Sequence, residues 1–366
     1  MDAPLLEARG LVKRFPVGRG RHRRWLLAVD HVDVLIEAGQ TQGLVGESGS
    51  GKSTTGRLIL RLIDPDAGTA LFKREDLFAL TGAELRRARR EMQLIYQDPL
   101  SSLDPRYSAR DIVSEPWAVH GMYTRRERAR RADELLERVG LDPRQGHHRP
   151  SEFSGGQQQR IGIARALALE PALVICDEPV SALDVSVQGQ IINLLIDLQG
   201  ELGLGYLFIA HDLAVVRHIS DRISVMYLGR IVETGTRDDV FSRPSHPYTH
   251  ALLAAVETSE QGMLAERLVM GEPPRPTDPP SGCAFRTRCP KAQALCAEEA
   301  PALIERGQGH PVACHFPEVV TVAAVGSAAN PRINGDNGHV GSQIHQGHQN
   351  SGDEANPHDQ GGVETP

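Results

Sequence analysis

The sequence predicts an α/β fold built on a parallel sheet, and three observations carry that expectation. Gly46-Glu47-Ser48-Gly49-Ser50-Gly51-Lys52-Ser53-Thr54 fits G-x-x-x-x-G-K-[ST], a phosphate-binding loop. A short apolar run ends at Leu44-Val45 before it, and the stripe Leu58, Ile59, Leu62, Ile63 follows it up to Asp64-Pro65, so the order is strand, loop, helix. Residues 172–176 and 206–210 are wholly apolar, the pattern of strands buried on both faces, and residues 188–199 between them place Ile191, Leu194, Leu195 and Leu198 on one helical face.

The elements follow in chain order. Residues 5–17 read as an edge strand and turn, and Arg19, Arg21, Arg23 and Arg24 as a solvated loop before a second strand over 26–36. Residues 66–80 are mixed. Helix formers fill 81–92, and 93–96 is a short strand that stops at Gln97-Asp98-Pro99. Thr124-Arg125-Arg126-Glu127 is a capping box that opens a helix with Leu135, Leu136 and Val139 on one stripe, ended by Gly140. Ser154 opens another helix, and Ile223–Tyr227 with Arg230–Glu233 form a hairpin through Leu228-Gly229. The expected organisation is a nucleotide-binding domain over 1–258 with a helical insert at about 80–170, a cysteine-rich extension over 259–325 behind a proline-rich linker, and a disordered tail over 326–366.

Bulk properties narrow the class. The 366 residues suffice for one large domain and an appendage. Aromatic residues make up only 4%, so the core must be aliphatic, and a net charge of −7 argues against a nucleic-acid partner. No apolar run reaches about 18 residues, and Met1–Gly10 does not read as a secretory signal. The expectation is a cytosolic chain whose 5 cysteines are not disulfide-bonded.

The loop's chemistry follows from its residue types. Glycines let backbone N–H groups turn onto phosphate oxygens, Lys52 brings a mobile positive charge, and the Ser53 hydroxyl is placed to ligate Mg²⁺. Asp177 ends an apolar strand, expected beside the loop's own strand, and would hold the same Mg²⁺. Glu178 can diverge from it toward the γ-phosphate and serve as general base for the attacking water.

These residues, with Ser154-Gly155-Gly156-Gln157, resemble the ATP-binding cassette ATPases, whose signature motif this matches. The resemblance implies that Ser154, Gly155, Gly156 and Gln157 face the ATP held by a second subunit, so that two chains close over two nucleotides. It implies further that Gln97 contacts Mg²⁺ and water, that Ser181-Ala182-Leu183-Asp184 crosses the dimer interface, and that His211 contacts the γ-phosphate and positions Glu178. Phe15 is the candidate for stacking on adenine, with a core aromatic as the other reading. The implied fold is a P-loop NTPase core of the cassette type with an antiparallel β subdomain, a helical insert and a cysteine-rich C-terminal extension.

Tyr96-Gln97-Asp98-Pro99, Ser101-Ser102-Leu103-Asp104-Pro105-Arg106 and His246-Pro247-Tyr248-Thr249 look like the oligopeptide/dipeptide permease ATPases, in particular the second of their two ATPase subunits, over roughly residues 5–320. Two departures stand out: Phe153 replaces the commoner Leu, and Gln158 stands where a basic residue is usual, a change expected to alter the contact surface. Cys283, Cys289, Cys296 and Cys314 form a four-thiol set whose spacing does not choose a metal. The resemblance implies a structural [4Fe–4S] cluster, with Zn²⁺ as the alternative and metal-free thiols as a third reading. Cys176 reads as packing.

The expected function is MgATP-driven import of peptides by a subunit on the cytoplasmic face of the cell membrane. Its implied partners are a homologous ATPase subunit, two membrane-spanning permease subunits and, indirectly, a solute-binding protein. Alternatives are an importer of nickel chelates or glutathione, or a cassette ATPase outside transport. No Asn-Lys-x-Asp motif supports a GTPase.

Overall fold

In a computed structural model the described residues are 3–18, 24–257 and 274–319. Arg19, Arg21 and Arg23 of the expected loop, residues 258–273 up to the first proline of the linker, and the tail lie outside them. Two sheets organise the chain. The first, antiparallel, has the order β2 (Arg24–Ile36), β1 (Leu6–Val17), β4 (Ala67–Phe72), β5 (Glu75–Asp76). The expectation of an edge strand at 5–17 is therefore wrong. β1 pairs with β2 on one side and with β4 on the other, through Leu6↔Phe72 and Ala8↔Ala70. β4 is hard to read because Gly68 interrupts it and only Ala70 and Phe72 are buried in alternation.

The second sheet has six strands in the order β10 (Arg230–Thr236), β9 (Arg222–Tyr227), β3 (Thr41–Val45), β8 (Gly205–Ala210), β7 (Leu173–Asp177), β6 (Met92–Ile95). All pairings are parallel except β10 with β9, the hairpin read from the sequence. β3 and β7 are not neighbours, contrary to the expected placement of Asp177: β8 lies between them. Both β7 and β8 are fully buried, and apolarity alone does not rank the strands of a parallel sheet. Met92–Ile95, inside the range expected for the helical insert, forms the sheet's edge.

α1 (Lys52–Ile59) packs between the two sheets, where Leu58 and Ile59 join Leu6, Val34, Leu44, Ile175 and Ile209 in one core. It ends sooner than the apolar stripe implies. Arg61 adopts φ 50, a left-handed conformation that stops the helix and leaves Leu62 49% exposed. The other face of the six-stranded sheet is covered by helices. α2 (Gly82–Arg90) lies with α1, placing Ala88 in the first core; the covering helices are the short α3 (Pro99–Ser102), α4 (Ala109–Val119), α5 (Arg125–Arg138), α6 (Gly155–Leu167), α7 (Val185–Leu202) and α8 (Leu213–Ile219). α4–α8 contribute to a second core with Val174, Cys176 and Phe208. The Thr124/Glu127 capping box forms at the start of α5, where Glu127 Oε2 accepts from the Thr124 N–H at 2.8 Å.

α9 (Arg237–Ser242) and α10 (Pro247–Glu257) follow β10, and α11 (Ala294–Glu298) lies in the C-terminal segment 274–319. That segment is joined to β10. Ala313 N–H donates to the Val232 carbonyl at 2.7 Å and Thr234 N–H to Pro311 at 3.1 Å. Glu233, with no exposed surface, accepts from the backbone N–H groups of Ser245 (2.8 Å) and His246 (3.0 Å) and pairs with His310 Nε2 at 2.6 Å.

Candidate functional site

The C-terminal ends of β3, β7 and β8 deliver the chemistry to one place. Leaving β3, the chain winds through residues 46–51 and enters α1 at Lys52. Gly51 caps that helix with φ 108, and a Cβ there would stand 2.1 Å from the Ala28 carbonyl oxygen, so only glycine fits the turn. Lys52 is buried and curls back over the loop, its Nζ donating to the carbonyls of Gly46 (2.7 Å) and Glu47 (2.9 Å). Burial lowers its pKa, against the opposing pull of Glu178, Asp177 and Glu47. Ser50 also lies buried, with a hydroxyl that has no partner among the described residues.

Asp177 reaches the loop across β8. Its Oδ1 accepts from Ser53 Oγ at 2.6 Å, so two oxygen donors of the kind Mg²⁺ takes are side by side. Burial raises the Asp177 pKa, which the Ser53 hydrogen bond opposes. The chain leaves β7 at Glu178 with φ 49. A non-glycine residue in this region is strained, and here the strain turns adjacent carboxylates in different directions. Glu178 N–H is held by the Ile209 carbonyl at 2.9 Å. Its Oε2 accepts from Gln97 Nε2 (3.0 Å) and meets His211 Nδ1 (3.2 Å), and its Oε1 stands 4.0 Å from Lys52 Nζ. Lys52, Ser53, Gln97, Asp177, Glu178 and His211, drawn from four stretches of chain, thus converge on one loop. Gly46, Ser48, Gly49 and Thr54 complete that loop.

The other expected residues stand apart from this group. Ser154 N-caps α6 in a closed box, its Oγ accepting from Gln157 N–H (3.4 Å) and its N–H donating to Gln157 Oε1 (2.9 Å). Gly155 and Gly156 follow at the helix's N-terminus. A Cβ on Gly156 would come within 2.5 Å of Val187 Cγ1, so this turn lies directly on the start of α7, which Asp184 caps. Phe15 is half-buried in β1 opposite Leu26, with Lys13 Nζ 5.7 Å from its ring centre, and no described hydrogen bond ties it to the loop.

Gln158 is not on a contact surface, contrary to expectation. It is buried, and its Nε2 donates to the carbonyls of Pro150 (2.9 Å) and Phe153 (3.1 Å), fixing the turn that leads into Ser154. A basic residue at 158 would bring a charge to these two carbonyls; the neutral amide meets both.

Cys283, Cys289, Cys296 and Cys314 are free thiols lining one small cavity of about 10 Å³. Burial pushes the Cys283 and Cys289 thiols up, and that of Cys314 to about 11. The expected metal site is not formed: among the described residues no group of three or more His, Cys, Asp or Glu is arranged to hold a metal ion. The cavity has room for about one water. Cys176 is fully buried in β7, as packing requires, and burial raises its thiol pKa.

Sequence reasoning missed the residues behind the loop. Glu47 N–H donates to Tyr248 Oη at 2.9 Å, and the Glu47 carboxylate takes a two-pronged ion pair from Arg288 at 3.0 Å on each prong. Tyr248 lies in the His246–Thr249 motif, which was the available signal. Arg288 offered none.

Comparison with known proteins decides the family. The chain is 51% identical over 319 residues to the oligopeptide transport ATP-binding protein AppF of Bacillus subtilis, covering 85% of this chain and 97% of that protein. The chain belongs to the ABC transporter family. The ABC transporter family model matches residues 29–181, and the model of the oligopeptide/dipeptide transporter C-terminal region matches residues 232–296, which places the chain in that branch. A probable peptide ABC transporter ATP-binding protein of Sinorhizobium fredii is 48% identical over 333 residues, 90% of this chain and 94% of that protein. Among solved structures, a dimeric ATP-binding cassette in a post-hydrolysis state bound to ADP and phosphate matches with a TM-score of 0.57 and 31% identity, over 63% of this chain and 98% of that one. The chain is accordingly an ATP-hydrolysing transporter subunit of the cassette type. No helix among the described residues is long and apolar enough to cross a membrane.

Proposed function

We propose that this subunit powers peptide import from the cytoplasmic face of the cell membrane, paired with a homologous ATPase subunit beneath two permease subunits served by a solute-binding protein. The observation that carries the reading is the convergence of Lys52, Ser53, Gln97, Asp177, Glu178 and His211 on the phosphate loop in a chain of the oligopeptide/dipeptide branch. In this reading the backbone N–H groups of Gly46–Thr54 and the Lys52 ammonium bind the phosphates of ATP. Ser53 and Asp177, with Gln97, would hold Mg²⁺, whose charge would neutralise that of the transferring phosphoryl group. Glu178 takes the proton of the attacking water at its carboxylate. His211 and Gln97 orient that carboxylate through the hydrogen bonds they already make to it. Ser154–Gln157 of the opposite chain close the site, which requires the Ser154–Gln157 cap to re-form around phosphate oxygens. Asp184, beside that turn, belongs to the same dimer surface. Phe15 is assigned to adenine.

A groove of about 620 Å³ lies between the core and the helical region, lined by Leu62, Tyr96, Ser102, Glu115 and Arg165. Its exposed Leu62 and Tyr96, next to Gln97, suit it to receive a short helix of the permease. The domain limits proposed are 1–258 for the nucleotide-binding domain, 259–325 for the extension and 326–366 for the tail. The four cysteines are assigned to a structural [4Fe–4S] cluster, with Zn²⁺ as the alternative. Their convergence on one cavity supports a soft-metal thiolate set, which requires the cavity to open as the thiols lose their protons.

The test is uptake by proteoliposomes holding the complete transporter and MgATP, with a labelled peptide library, a nickel chelate and glutathione offered in parallel. Uptake of either alternative in place of peptides would overturn the cargo. Anaerobic purification with an absorption spectrum and metal analysis tests the cysteine site, where a colourless, zinc-loaded protein would remove the iron–sulfur assignment.

A further inference from the structure

Glu47, the second residue of the phosphate loop, has every polar group engaged. Its carbonyl accepts from Lys52 Nζ at 2.9 Å and from Ser50 N–H at 3.2 Å, both interactions within the loop. Its other partners come from more than 200 residues away. The N–H donates to Tyr248 Oη at 2.9 Å, and the carboxylate is gripped by Arg288, Nη1 to Oε2 and Nη2 to Oε1, both at 3.0 Å. A planar guanidinium and a carboxylate meeting on two prongs fix direction as well as distance.

Arg288 is itself held firmly. It is 7% exposed, and its guanidinium lies 5.8 Å from the Tyr227 ring centre and 5.9 Å from that of Phe285. Nη1 also reaches Tyr227 Oη at 3.5 Å, while Nε has no partner among the described residues, so its polar recognition is directed at Glu47 and Tyr227. Tyr227, Tyr248 and Phe285 pack on one another with ring centres 4.7, 5.3 and 5.5 Å apart. The aromatic cluster joins the end of β9, the start of α10 and the C-terminal segment behind a loop whose backbone must present its N–H groups to phosphate.

We infer that Arg288 and Tyr248 are positioning residues for the nucleotide: the C-terminal segment, through its clamp on Glu47, sets the loop's affinity for MgATP. Neither residue touches the reacting atoms. The clamp acts on the ground state, so its loss falls on binding and KM rather than on kcat. Linkage requires the reverse effect as well, namely that bound nucleotide steadies the segment around Arg288.

The inference rests on MgATP binding at Gly46–Thr54, and the experiment separates the two. MgATP affinity and steady-state hydrolysis are measured on the full chain as wild type, Arg288→Ala, Arg288→Lys and Tyr248→Phe. Tyr248→Phe keeps the aromatic packing and removes only the acceptor for Glu47 N–H, and Arg288→Lys keeps the charge but not the fork. The expected result is a rise in KM and in the dissociation constant for MgATP of about 5- to 150-fold for Arg288→Ala, the ordinary size of coupling between sites, with smaller rises for the other two. Hydrogen exchange over residues 282–289 is expected to slow when MgATP binds the wild type and to respond less in the variants. If Arg288→Ala does not fold, the two conservative variants decide. Folded variants with wild-type affinity, or a loss confined to kcat, would overturn the inference. A wild-type chain that does not bind MgATP would instead overturn the assignment of the loop.

Discussion

Replacing Glu178 by glutamine keeps the shape of the side chain and removes its capacity to take a proton. In the structure Oε2 accepts from Gln97 at 3.0 Å and meets His211 at 3.2 Å, while Oε1 is 4.0 Å from Lys52 Nζ. An amide at 178 can still accept from Gln97 through its oxygen, and its nitrogen then faces Lys52, which only donates. The loss therefore falls on proton acceptance, with a minor repulsion at 4.0 Å. General base catalysis contributes about 10²- to 10⁴-fold, or roughly 3–5 kcal/mol at the exchange rate of about 1.4 kcal/mol per decade. Glu178→Gln is expected to lower kcat by that factor and leave MgATP affinity undiminished. Phosphate release and equilibrium nucleotide binding, measured on the same preparation, test this. A kcat within about threefold of wild type would refute the role of base, since it falls well short of the range for such catalysis. An equal loss of binding would show that Glu178 holds the site together instead.

Ser53→Ala removes the donor to Asp177 Oδ1 and one oxygen offered to the metal, and is expected to raise the Mg²⁺ concentration for half-maximal hydrolysis by roughly 10- to 100-fold, read by magnesium titration at fixed ATP. Gly51→Ala forces a Cβ to within 2.1 Å of the Ala28 carbonyl at φ 108, a cost of more than about 3 kcal/mol, so the chain should lose nucleotide binding or solubility, measured by expression and equilibrium binding. Glu233→Ala leaves His310 and two buried N–H groups without their acceptor. Breaking a buried pair costs about 3–5 kcal/mol, so the thermal midpoint by scanning calorimetry should drop on the order of 5–15 °C; an unchanged midpoint would show that water replaces the carboxylate.

Much of the site is legible in the sequence because its chemistry is local. The phosphate loop needs particular residue types at fixed spacing, Ser154 caps its helix with a residue three positions on, and Asp177-Glu178 end an apolar run. What could not be read is relational. Nothing in residues 173–177 or 205–210 says that β8 inserts between β3 and β7, because both strands are buried throughout and carry the same apolar run. β4 escaped notice because Gly68 breaks its alternation, and so β1 passed for an edge. Gln158 looked like a surface substitution until its two carbonyl acceptors were in view. The bond between Glu47 and Arg288 spans 241 positions, and no periodicity encodes it.

The join between β10 and the C-terminal segment determines how this protein can be cut. β10 closes one side of the six-stranded sheet, and Val312 bridges it at Glu233 while the neighbouring amides and carbonyls pair across. A shortened chain ending near residue 258, the boundary expected from the sequence, would leave that strand's hydrogen-bonding groups open to any other strand that came by. It would also strand a carboxylate in the interior. Fragments designed on the apparent modular boundary should therefore clump rather than work in miniature. The smallest piece worth expressing carries the chain through to at least Ala313.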